Sequence, residues 1–115
     1  MSQSPVDVVQ RQLEAYNRRD LEGFLAVFHD QVQIFDLGTA IPAFDGKAAI
    51  RERYRALFES SPELCSVVVN RTAIGRVVID LERVTGRMAS RDVYDILAIY
   101  EGESGLIRRV HFVRP

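Results

Sequence analysis

The strongest constraint on this chain is where its apolar periods lie. Three- and four-residue spacings occupy the first half. After Ser61-Pro62 the pattern changes to short apolar or alternating stretches between turn residues. Val6, Val9, Leu13 and Tyr16 predict a helix over 5–18, with Pro5 suited to its first turn. Asp20 predicts an N-cap for a short second helix with the stripe Leu21, Phe24, Leu25 and Phe28, ended by His29-Asp30. Residues 31–37 read as a strand that carries Val32, Ile34 and Asp36 on one face. Gly38, Pro42 and Gly46 mark a turn-rich connection. Asp45 or Gly46 then caps a third helix reaching about Phe58. Its buried stripe is Ile50, Tyr54, Leu57 and Phe58, with Arg51, Glu52, Arg53 and Arg55 facing water. Strands follow at 65–75, 76–86, 92–101 and 106–114, reversed at Gly75, at Gly86 and over 101–105. Helices set ahead of a run of sequential strands predict an α+β domain spanning 1–115, in the order α-α-β-α-β-β-β-β.

Charge and cysteine content narrow the function classes. Sixteen acids against fifteen bases give a net charge of −1, which predicts neither nucleic-acid nor membrane binding. Fourteen of the bases are Arg, scattered in no run longer than two. The single Cys65 excludes an internal disulfide and a Cys-based zinc site, and it reads as a small buried hydrophobe. No apolar run approaches the ~18 residues of a membrane span, and the opening residues predict no secretory signal. Low cysteine use then predicts a cytoplasmic setting. No phosphate loop, nucleophile elbow or dinucleotide fingerprint is present, so no cofactor is expected.

Several stretches, set in this element order, carry a family likeness. They are Val8-Val9-Gln10-Arg11, Tyr16-Asn17-Arg18-Arg19-Asp20-Leu21, then Phe28 and Asp36, then Gly46-Lys47-Ala48-Ala49-Ile50-Arg51-Glu52. The chain resembles the nuclear transport factor 2-like superfamily, in its SnoaL-like and ketosteroid isomerase-like branch. The resemblance implies a cone-shaped domain, with a curved sheet wrapped around the helices and an apolar cavity at one end. It also implies a homodimer joined through the sheet. The fold hosts isomerases, cyclases, dehydratases, hydrolases and binding modules, so it leaves the reaction open.

Asp36 is the leading catalytic candidate. It ends an apolar strand face before the Leu37-Gly38-Thr39 turn, where a carboxylate can serve as general base toward a held carbon acid. By resemblance it occupies the place of the isomerase general base. The other reading is an Asp that bonds to turn amides. The resemblance places Gln12 where the isomerases carry a tyrosine, and Tyr16 lies one turn further on the same face. It places Tyr54 at a supporting aromatic hydroxyl of the third helix, and Ile96 or Leu97 where the isomerases carry an acid. The expected apolar lining is Phe28, Ile34, Leu57, Phe58, Leu97, Val110 and Phe112, with His111 on the outer face. Asp80, Glu82 and Arg83, with Arg71 and Arg76, read as cross-strand pairs on a solvated or dimeric face. Asp80 or Asp95 with Arg109 is a second arrangement of the kind used by the epoxide hydrolase branch. His29 reads as a partner of a helix C-terminus. Two functions follow. One is a cofactor-free enzyme acting on a small apolar molecule, with Asp36 as acid/base and Tyr16, Tyr54 and Gln12 positioning an oxygen. The other is a non-catalytic ligand-binding or dimerisation module.

Overall fold

The first helix begins where its caps say it should. In the computed structural model, which describes residues 4–115, α1 runs Pro5–Arg18. Ser4 Oγ accepts from the Asp7 amide and the Asp7 carboxylate accepts from the Ser4 amide, a reciprocal capping box. Arg19 ends the helix in the left-handed conformation. Asp20 caps α2 (Leu21–Leu25), accepting from the Gly23 amide. The Tyr16–Leu21 stretch therefore forms the fixed corner between α1 and α2. Asn17 exchanges two hydrogen bonds with the backbone of Ser66, at 2.8 and 2.9 Å, and Arg19 donates to the Leu64 carbonyl at 3.0 Å. These contacts fix the end of α1 against the start of a strand.

The strands are β1 (Phe28–Asp36), β2 (Phe44–Asp45), β3 (Cys65–Ile74), β4 (Val77–Thr85), β5 (Tyr94–Glu103) and β6 (Leu106–Val113). A third helix, α3 (Lys47–Ser60), lies between β2 and β3. They form one curved sheet in the order β2-β1-β6-β5-β4-β3 around the helices. All neighbours are antiparallel except β1 and β6, which pair parallel. The predicted α+β order holds, with two short additions: β2, and a 3-10 turn at Arg87–Ala89. No helix among the described residues is long and apolar enough to cross a membrane.

Three expectations need correction. Phe28 does not complete the second helix. It opens β1, where its ring packs 4.9 Å from that of Phe24. His29 consequently lies in the strand, its Nε2 3.6 Å from Glu103, and not at a helix end. Arg53 does not simply face water; it is half-buried, with its guanidinium 5.8 Å from the centre of the Phe44 ring. Gly46, with φ of 92°, stands at the α3 N-cap without a side-chain cap.

The core sits between the concave face of the sheet and the helices. Phe24, Phe28, Ile50, Leu64, Val78, Ile107 and Val110 are all buried there. Alternation along β5 sends Ile96, Ala98 and Tyr100 inward and Leu97 and Ile99 outward. Cys65 is half-buried at the start of β3.

Candidate functional site

The geometry gathers polar chemistry in one narrow cleft. Gln12 and Tyr16 of α1 face Tyr54 and Leu57 of α3, and Glu82, Tyr94, Ile96 and Tyr100 of β4 and β5 form the sheet side. Phe112 and Arg114, with Arg53 and Arg87, stand around it. Tyr16, Tyr54, Phe24 and Phe58 pack as an aromatic cluster, with ring centres 4.5–6.4 Å apart. Burial pushes the Tyr16 phenol well above the ordinary tyrosine range and raises that of Tyr54, so both stay protonated at neutral pH. The cleft has a volume of about 60 Å³.

Asp36 lies at the edge of this region. It pairs with Phe112 across β1 and β6, which places it on the cleft-facing side of β1. Its carboxylate is 62% exposed and sits 4.0 Å from Arg114 Nε, while the Arg114 guanidinium lies over the Phe112 ring at 4.9 Å. Asp36, Arg114 and Phe112 thus form one rim. The Asp36 carbonyl closes the following turn by accepting from the amide and hydroxyl of Thr39.

The interior acids are Asp80 and Glu82, and this corrects the placement expected for them. They are 1% and 5% exposed and point inward from β4. Only Arg83 faces outward, pairing with Asp95 at 3.0 Å on the exposed side. Asp80 receives a bidentate pair from Arg71 at 2.7 and 2.9 Å, and Arg71 also donates to Gln10 at 2.9 Å. The carboxylate beside it holds the Arg71 guanidinium above its usual range. Glu82 has hydroxyl partners instead. Ser66 Oγ donates to its Oε1 at 2.7 Å, and Tyr100 Oη lies 3.1 Å from its Oε2. Burial, reinforced by Asp80, raises its carboxyl above the ordinary value of 4.5, against the opposing pull of the two hydroxyls and Arg71. Arg109 reaches Glu101 at 3.5 Å and joins neither Asp80 nor Asp95 in a hydrogen bond.

Of the expected apolar lining, Leu57 and Phe112 border the cleft. Phe28, Ile34, Phe58 and Val110 belong to the packed core, and Leu97 stands on the outer face of β5. His111 stacks on Phe35, 4.8 Å apart and 10° from parallel, on the face opposite Val110 and Phe112. Glu82 and Tyr100 were missed as site residues, although a signal existed. The Gly75-Arg76 reversal puts Arg71 opposite Asp80 across the hairpin, and Val78 and Val84 share the inner face with both acids. A larger space of about 400 Å³ opens at the other end, between Pro5, Val8 and Val9 of α1 and the β5–β6 hairpin. Its walls are mainly hydrocarbon and its charged groups lie at the surface, so the chemistry concentrates in the smaller cleft.

Comparison with known proteins agrees with this architecture. The profile of the SnoaL-like domain matches residues 9–110, and the chain belongs to that family. An uncharacterized cystatin-fold protein from Novosphingobium aromaticivorans superposes with a TM-score of 0.88 at 21% identity, covering 97% of this chain and 99% of the other. An LEH-like epoxide hydrolase of M. tuberculosis gives 0.83 at 15%, covering 99% and 84%. A computationally designed 17-OHP binder gives 0.81 at 16%, covering 98% and 93%. At these identities the likeness is one of fold. No functionally curated protein matches the sequence.

Proposed function

We propose that this SnoaL-like chain binds a small, largely apolar molecule bearing an oxygen, and moves a proton on it without a cofactor. One observation carries the reading. Glu82 is a buried carboxyl in the wall of an aromatic cleft, held by hydroxyls and not by a cation. Burial makes such a carboxyl a weaker acid than an exposed one, and in its protonated form it can give a proton to a ligand oxygen. Tyr100, whose hydroxyl donates to Glu82 and which lines the same cleft, can relay that proton by giving its own hydrogen to the ligand oxygen and taking the Glu82 proton in its place.

Asp36 supplies the complementary group. A carboxylate at the water-facing rim beside Arg114 can take a proton from a carbon acid that projects toward the mouth. Tyr16, Tyr54 and Gln12 hold the oxygen between them. This division of labour serves isomerase, cyclase or dehydratase chemistry. A cleft of about 60 Å³ is smaller than the several hundred Å³ of usual ligand sites, so binding a ligand requires its walls to part. That a designed 17-OHP binder has this fold supports a small-molecule ligand for the cleft.

The test is turnover of small cyclic enones and epoxides, each with and without a hydroxyl substituent, by the native chain, Asp36→Asn and Glu82→Gln. Loss of turnover in both variants, with unchanged circular dichroism, supports the two-carboxyl reading. Unchanged turnover in Glu82→Gln removes Glu82 as the acid, and in Asp36→Asn removes Asp36 as the base. A second reading, a dimerising module, draws on Val67 and Val69 of edge strand β3, which are 59% and 49% exposed. A concentration-independent monomer in analytical ultracentrifugation eliminates it.

A further inference from the structure

Gln12 presents an unusual situation within the cleft. Its residue is 7% exposed, yet its Oε1 has no hydrogen-bond partner among the described residues. A buried acceptor left without a donor costs free energy that a folded protein ordinarily avoids. Here that acceptor belongs to a side chain that borders the cleft, beside Tyr16 and across from Glu82 and Tyr100. An apolar ligand, an ether or a ketone brings no hydrogen for it. A hydroxyl brings one.

We propose that the cleft selects a hydroxyl-bearing ligand, a small alcohol or phenol whose O–H donates to Gln12 Oε1. This deepens the ligand-binding reading above and rests on it. The hydroxyl oxygen keeps its lone pairs for donors in the same wall, where Tyr16 and Tyr54 stand protonated. The aromatic cluster supplies the surface for the ligand's hydrocarbon part. Gln12 is thereby a specificity-determining residue. The rival occupant is a single ordered water, which likewise brings a hydrogen to donate.

Three probes of nearly one shape separate these cases: phenol, with a donor; anisole, with an acceptor only; and toluene, with neither. Their affinities are measured by proton–nitrogen NMR titration of the native chain, Gln12→Leu and Gln12→Met. One neutral hydrogen bond predicts that the phenol-to-toluene affinity ratio falls roughly three- to tenfold in both variants. The anisole-to-toluene ratio should hold constant. In the native chain the Gln12 side-chain amide signals, identified by their loss in the variants, should move with phenol and not with toluene. An unchanged phenol ratio overturns the proposal and leaves water as the occupant. A fall in the anisole ratio matching that of phenol overturns it as well, because the amide N–H₂ would then face the ligand. Either result leaves ligand binding itself standing. If no probe perturbs cleft resonances, both the proposal and the ligand-binding reading fall. If one of the two variants fails to fold, the other supplies both the ratio and the identification of the amide signals.

Discussion

Arg71 and Asp80 face each other across β3 and β4 through two N–H···O contacts of 2.7 and 2.9 Å, with the carboxylate fully enclosed. Arg71 still reaches solvent along part of its side chain, whereas Asp80 does not. The pair is therefore asymmetric. Arg71→Met strands a buried anion and should cost about 3–5 kcal/mol in urea unfolding. Asp80→Asn leaves a cation that can turn to water, and should cost clearly less. Equal losses would show that Asp80 finds another partner.

Glu82 predicts how stability follows pH. Its folded carboxyl titrates above the ordinary 4.5, chiefly through burial. Between the two values the folded chain holds a proton that the unfolded chain has released. Stability from this group is therefore full below about pH 4.5 and falls as pH rises through the folded value. Thermal melts across pH 4–8 should show a decline that flattens in Glu82→Gln. Tyr100→Phe removes a hydroxyl that favours the charged form, so it should move the decline to higher pH. A Glu82→Gln profile parallel to that of the native chain would show that Glu82 does not titrate there.

Gly86 is the position where a side chain is least tolerable. Its φ is 74°, and a Cβ would collide with the Glu63 carbonyl group. Gly86→Ala combines left-handed strain of about 1–3 kcal/mol with that backbone clash, and should lower the unfolding midpoint accordingly. Gly75 also has positive φ but meets nothing within 4 Å, so Gly75→Ala should show the strain alone.

Gln12→Leu should stabilise the unliganded chain by about 1 kcal/mol, because it removes a buried acceptor that has no partner. Differential scanning calorimetry checks the sign. A loss of stability would mean that the Gln12 amide is already satisfied, for example by a resident water.

Much of the architecture was legible because local signals agreed. Pro5 and the spacing from Val6 to Tyr16 marked α1, and Asp20 marked α2. Phe28 was misplaced because it continues the helical spacing of Leu21, Phe24 and Leu25 while already serving as a strand residue. β4 was harder. Val77, Ile79 and Leu81 alternate as a good inner face should, and Asp80 and Glu82 look like the outer one. The structure reverses the two faces, because Arg71, Ser66 and Tyr100 arrive from neighbouring strands to satisfy the acids. Alternation shows that two faces differ, but not which one is buried when partners come from elsewhere. Gln12, Tyr16 and Tyr54, which line the cleft, were named through the family resemblance, while Glu82 and Tyr100 were passed over although the hairpin register already paired Arg71 with Asp80.

The parallel pairing of β1 with β6 has a kinetic consequence. β6 lies between β1 and β5, so the sheet cannot close until a late segment inserts beside an early one. The loop that must be ordered spans most of the chain, which predicts refolding in milliseconds to seconds and not microseconds. Until β6 arrives, the edges of β1 and β5 that it will occupy stand open, and the rim formed by Asp36, Phe112 and Arg114 does not exist. The cleft is thus completed in the same step that removes the edges most prone to pairing with another chain.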